Sequence, residues 1–127
     1  MIKNIVFDLG NVLVDFDPPR FVMEKTANKD QQKMLMSEIF GSVDWLRFDK
    51  GTMNREELLT SAKSRLPKEL HAIAEDLLDT WYIGLNAIPQ MEELPKRLKE
   101  KGLSLYILSN APQDYYLYED KVPSHSI

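Results

Sequence analysis

The chain has 127 residues, about the size of one ordinary domain; 43% are hydrophobic and 28% charged, a globular rather than a disordered composition. A formal charge of −4 with no basic run argues against nucleic acid as a partner. The absence of cysteine excludes disulfides, thiolate metal sites and a thiol nucleophile. No secretory leader is visible in residues 1–14 and no apolar run is long enough for a bilayer, so a soluble, cytoplasmic protein with no membrane contact is expected.

The apolar run from Ile2 ends in Ile5-Val6-Phe7-Asp8 and is followed by Leu9-Gly10-Asn11. Such a run, bounded by a Gly-Asn turn signal, reads as a buried strand. Aspartate suits a strand interior poorly, but at the carboxyl end of a parallel strand its carboxylate can face a cleft. Pro18 and Pro19 then end any extended pairing. Helical composition follows from Arg20 to about Phe40, with a turn in Lys25–Lys33 capped by Asn28 or Asp30. Gly41-Ser42 breaks it, and Asp44–Gly51 is a mixed aromatic and charged stretch without an assigned element.

Thr52–Asn54 leads into Glu56-Glu57, the start of a helix that Pro67 ends. The three- and four-residue spacings of Leu70, Ile73, Ala74, Leu77, Leu78 and Trp81 predict a helix over Lys68–Tyr82. Pro89 opens another helix that Gly102 stops, with a kink or a late start near Leu94 expected from Pro95. Leu103–Leu108 predicts a second buried strand, ending at Ser109-Asn110. A short helix is expected over Pro112–Tyr118, and Glu119–Ile127 shows no pattern.

Two buried strands separated by helices predict a parallel crossover. The fold class expected is therefore α/β: a partial Rossmann-like parallel sheet core, 1–15 and 87–127, with a helical cap subdomain inserted at 16–86. In adjacent parallel strands Asp8 and Ser109 open on the same edge. A carboxylate, a hydroxyl, the Asn110 amide and free backbone N–H groups would then share one mouth, a donor set suited to phosphate oxygens. Taken singly, Asp8 reads as a turn former and Ser109 as a turn or cap residue.

Phe7-Asp8-Leu9-Gly10-Asn11-Val12-Leu13-Val14-Asp15 and Leu105-Tyr106-Ile107-Leu108-Ser109-Asn110 resemble the first and second motifs of the haloacid dehalogenase-like hydrolase superfamily. The helical insertion between them resembles the cap of its small sugar-phosphate phosphatases. The resemblance implies a phosphatase acting on small phosphate monoesters through an aspartyl-phosphate at Asp8. Asp8 would also bind Mg²⁺, with the Gly10 carbonyl as a second ligand. Ser109, Asn110 and the Leu9 and Gly10 backbone would hold the phosphate of a small phosphorylated metabolite. Cap residues would select it; Trp45, Arg47, Phe48 and Lys50 are candidates, although packing of the cap core is the stronger reading of Trp45 and Phe48.

The sequence departs from the family at Gly10, where most of its phosphatases carry a second aspartate as general acid and base; glycine transfers no proton. Asn11 stands where glycine is usual and tolerates positive φ. The family's later lysine and acidic pair are expected beyond residue 127: Lys121 follows Ser109 too closely, and Asp120 has no paired acid on a strand. A two-stranded parallel sheet would also leave open edges and bare faces, which invite self-association or a complementing fragment. The alternatives are a carbon–halogen hydrolase with the same nucleophile and no metal, and a non-catalytic interaction module.

Overall fold

The computed structural model describes residues 1–127, which divide into two compact units. One comprises Met1–Phe16, Leu85–Ser109 and Tyr116–Ile127; the other comprises Asp17–Gly84 with Asn110–Tyr115.

In the first unit, β1 (Asn4–Phe7) and β4 (Ser104–Ile107) form a parallel pair. Asn4 lies opposite Ser104 and Phe7 opposite Ile107. Backbone bonds extend the ladder at both ends, Ser104 N to Lys3 O at 2.9 Å and Leu108 N to Phe7 O at 2.9 Å. The predicted strands and their parallel pairing are present, but they are not buried through. The period of two puts Ile5, Phe7, Leu105 and Ile107 on one face and Asn4, Val6, Ser104 and Tyr106 on the other. Phe7 and Leu105 are buried, whereas Val6 is 56% and Tyr106 52% exposed. A parallel sheet needs a layer on each face, and here only one face is covered.

A second, antiparallel pair joins β2 (Val14–Asp15) to β3 (Asn86–Ala87), with Val14 opposite Ala87. Sequence patterning predicts no strand at either place, because two residues carry no period. Helix α6 (Gln90–Glu100) follows and packs against β4. Glu92 and Glu93 in its first turn and Arg97 and Lys99 in its last complement the helix dipole. The expected late start does not occur. Pro95 lies inside the helix, buried, and its missing N–H removes only the bond toward Met91. Gly102, at φ 85°, ends the helix in a conformation that glycine adopts without strain. Residues beyond Tyr116 make short 3₁₀ turns that bury Tyr118 and Val122, and Lys121 Nζ donates to Leu85 O at 2.7 Å.

The second unit is helical. Its order is α1 (Pro18–Lys25), α2 (Lys29–Leu35), a π-turn over Met36–Phe40, α3 (Val43–Asp49), α4 (Arg55–Arg65) and α5 (His71–Thr80). Side-chain caps decide where these helices start. Asn28 accepts from the Asp30 and Gln31 amides, Ser42 from Trp45, and Asn54 forms a reciprocal capping box with Glu57. Helix α3 falls in the stretch left without an element. Its apolar residues Trp45 and Phe48 face inward and Asp44 is buried beside them. The rings of Phe40 and Trp45 lie 4.7 Å apart between centroids, and those of Trp45 and Trp81 5.2 Å in an edge-to-face contact.

Segment Asn110–Tyr115 belongs to this unit and is tied to it by side chains. Gln113 Nε2 donates to Gly51 O at 3.1 Å, and Arg55 Nε approaches Asp114 Oδ2 at 3.7 Å.

Candidate functional site

Asp8 follows directly on β1, and Ser109 lies two residues beyond β4. The Leu108 amide still bonds to the Phe7 carbonyl, so β1 and β4 end at the same end of the pair. The parallel register thereby places Asp8 and Ser109 just past the same end of the strand pair. Asp8 is exposed and Ser109 half-buried. Asn110 begins the segment that folds with the helical unit.

The loop after Asp8 is closed by its own backbone. The Leu9 carbonyl accepts from Val12, Leu13 and Val14 at 3.2, 2.9 and 3.1 Å. Asn11 N returns a bond to Val14 O at 2.7 Å. The turn requires φ 58° at Asn11, a left-handed conformation open to asparagine. Its side chain is also used: Asn11 Oδ1 accepts from Phe16 N at 2.9 Å. The sequence marks Asn11 for its backbone tolerance but not for this fastening of the loop.

The Leu9 amide donates to Asp8 Oδ1 at 2.7 Å. That amide is one of the groups the resemblance assigns to phosphate, and here it holds the carboxylate instead. Neither the Gly10 amide nor its carbonyl enters a hydrogen bond, and a side chain built at Gly10 would meet nothing within 4 Å. An exposed carboxylate and an unengaged carbonyl two residues apart are hard oxygen donors of the kind Mg²⁺ takes. No group of three or more His, Cys, Asp or Glu side chains is gathered anywhere as a metal site.

Lys121 donates to the Leu85 carbonyl, and burial lowers its amine below the ordinary lysine range while the Asp120 charge partly opposes the shift. Among the substrate-selecting candidates, Trp45 and Phe48 are buried in the aromatic core of the helical unit. Arg47 Nη1 pairs with Asp44 Oδ1 at 2.9 Å, and Lys50 is the exposed C-cap of α3. Packing therefore accounts for both aromatics.

No protein-family model matches the chain, and no curated protein matches it. Among solved structures it is similar to a HAD family enzyme of Bacteroides thetaiotaomicron, crystallised in complex with magnesium and inorganic phosphate. The TM-score is 0.61 and the identity 24%, over 93% of this chain and 58% of that one. A second structure of the same enzyme gives a TM-score of 0.60 and 22% identity, over 92% and 57% of the two chains. The chain thus has the fold of the haloacid dehalogenase-like enzymes, a partial Rossmann-like α/β core. It spans 58% of the length of the enzyme it matches. None of its helices is long and apolar enough to cross a membrane.

Proposed function

We propose that Asp8 is the nucleophile of a haloacid dehalogenase-type phosphatase acting on small phosphate monoesters. The observation that carries the reading is the bond from the Leu108 amide to the Phe7 carbonyl, which ends both strands at one end of the pair, just before Asp8 and Ser109. The likeness to an enzyme crystallised with magnesium and phosphate adds weight, as does the motif resemblance.

An Asp8 carboxylate oxygen attacks phosphorus, the bond to the alcohol oxygen breaks, and the departing oxygen takes a proton. Water then attacks the same phosphorus, expels the Asp8 carboxylate and leaves inorganic phosphate. The hydrogen bond from Leu9 orients Asp8 by holding Oδ1, which leaves Oδ2 for the attack. The Ser109 hydroxyl and the unengaged Gly10 amide donate to phosphate oxygens, where negative charge must be held. Asn110 enters this set by resemblance alone. Mg²⁺, when bound, neutralises phosphate charge, and the Asp8 carboxylate with the Gly10 carbonyl would hold it. Gly10 carries no acid, so the leaving oxygen draws its proton from water or from the substrate's own hydroxyl groups.

The test is chemical trapping. The chain is mixed with a sugar phosphate and Mg²⁺, quenched in acid and digested. A phosphoryl adduct on the peptide that contains Asp8, lost in Asp8→Asn, is expected. Substrate turnover that persists in Asp8→Asn would overturn the assignment.

A further inference from the structure

Helices α1 and α2 enclose a groove within the helical unit, away from every residue assigned a role above. Pro19, Val22 and Met23 flank it from α1, at helical spacings that put them on one face. From α2 come Lys29, Gln32 and Lys33, and Met36 follows in the next turn, also on one face. The groove is open to solvent and has a volume of 380 Å³, at the lower end of the roughly 300–1,000 Å³ of small-molecule sites. Val22 is fully buried beneath it, while Met23 is 56% exposed on its wall. Methionine adapts its shape to a ligand, and two of them, Met23 and Met36, line this groove.

The rim is cationic. Lys29 and Lys33 stand one turn apart on α2, both exposed, and neither takes part in an ion pair. Asp30 is the one acid beside them, so the rim keeps a net positive charge in a chain whose formal total is −4. Charge and surface together select the occupant: an apolar body with an anionic head. Size decides between a small molecule and a protein. A stable protein interface draws on about 20–30 residues a side, far more than this groove presents.

We infer that this groove binds a single-chain anionic amphiphile, its alkyl chain along Pro19, Met23 and Met36 and its head between Lys29 and Lys33. A carboxylate or a phosphate head satisfies the same two ammonium groups. The site is independent of Asp8 and of the proposed hydrolysis.

The full chain, labelled with ¹³C at the methionine methyls, is titrated with decanoate, decyl phosphate and decyltrimethylammonium, each below its micelle concentration. Saturable shifts confined to Met23 and Met36 are expected with both anions, and at least about tenfold weaker binding of the cation. A tighter hold on decyl phosphate than on decanoate identifies phosphate as the preferred head; the reverse identifies carboxylate. Each methylene added between hexanoate and decanoate should raise the affinity about twofold, as half-burial of a CH₂ implies. Lys29→Glu with Lys33→Glu should weaken the anions about tenfold without changing the melting temperature. Binding that ignores the head charge, that survives the double reversal, or that spreads over every methionine would overturn the inference, as would no saturable shift at all.

Discussion

The helical unit and the strand unit use similar apolar side chains to different effect. Phe48, Leu58 and Leu77 are fully buried in the helical unit, whereas Val6, Tyr106 and Leu108 in the strand unit are 56%, 52% and 75% exposed. Helices that bury residues on one side can cover one another, as α4 does with Leu58 and Ala62 and α5 with Ala74, Leu77 and Leu78. A parallel strand pair has two faces and needs two covering layers. In this chain the face of Ile5, Phe7, Leu105 and Ile107 is covered and the face of Val6 and Tyr106 is not. Core substitutions should therefore cost much in one unit, and substitutions on the bare face should cost little in the other.

The largest effect is expected from Phe48→Ala. It removes a fully buried ring from an aromatic cluster and should cost about 3–5 kcal/mol in urea unfolding. A loss below about 1 kcal/mol would mean that the cluster is not the core of its unit.

Asp44 comes next. Its carboxylate receives Arg47 at 2.9 Å, Arg65 at 3.2 Å and the Ser61 hydroxyl, and Arg65 also reaches Glu38 Oε2 at 2.7 Å. Asp44→Ala leaves the exposed Arg47 without its anion and Arg65 with Glu38 alone, and should cost about 2 kcal/mol. The Ser61 hydrogen bond, with Arg65 behind it, holds the Asp44 carboxyl below its ordinary value of 3.8, against the opposing effect of burial. The sign follows from linkage. The folded state holds the ionised form more tightly than the unfolded state does. The stability this contributes is fully present above 3.8 and is lost as the pH falls through the lower folded value. Acid unfolding of Asp44→Asn should accordingly be less steep than that of the wild type below pH 3.8; parallel acid curves would remove Asp44 as a source of that dependence.

A smaller change sharpens the other side of the comparison. Asn11→Ala loses the bond to Phe16 and strains a residue at φ 58°, while Asn11→Gly relaxes the strain and loses only the bond. Losses of about 2 kcal/mol for alanine and about 1 kcal/mol for glycine are expected from thermal melts. Equal losses would show that the conformation carries no cost. Least of all should change in Leu108→Ser, at a residue 75% exposed, where a shift within about 0.5 kcal/mol is expected. A large loss there would show that the bare face is covered in solution.

Much of the strand unit is legible in its sequence because Ile5–Asp8 and Leu103–Ser109 are apolar runs closed by a polar residue. That end placement is also why the sequence points to Asp8 and Ser109 together. The exposure of one face is not legible, since a run of Ile, Val and Phe looks the same whether one or both of its faces are covered. Two helix starts are legible in outline: Asn28 or Asp30 marks one, where Asn28 is the cap, and Thr52–Asn54 before Glu56-Glu57 marks the other, where Asn54 is. Helix α3 also starts at a single cap, Ser42, but Gly41-Ser42 reads as a break, and the burial of Asp44 in its first turn depends on Ser61 and Arg65, 17 and 21 positions along the chain. The engagement of the Leu9 amide by Asp8 is likewise a matter of side-chain geometry that no spacing encodes.

The central claim is that one carboxylate at the end of β1 performs the chemistry, beside a hydroxyl carried by the neighbouring strand. Its most direct test is the rate of phosphate release from sugar phosphates with Mg²⁺, compared among the wild type, Asp8→Asn and Ser109→Ala. A loss of at least about a thousandfold for Asp8→Asn and about tenfold to a hundredfold for Ser109→Ala is expected, with the melting temperatures kept. A wild-type rate no higher than that of Asp8→Asn would contradict the claim.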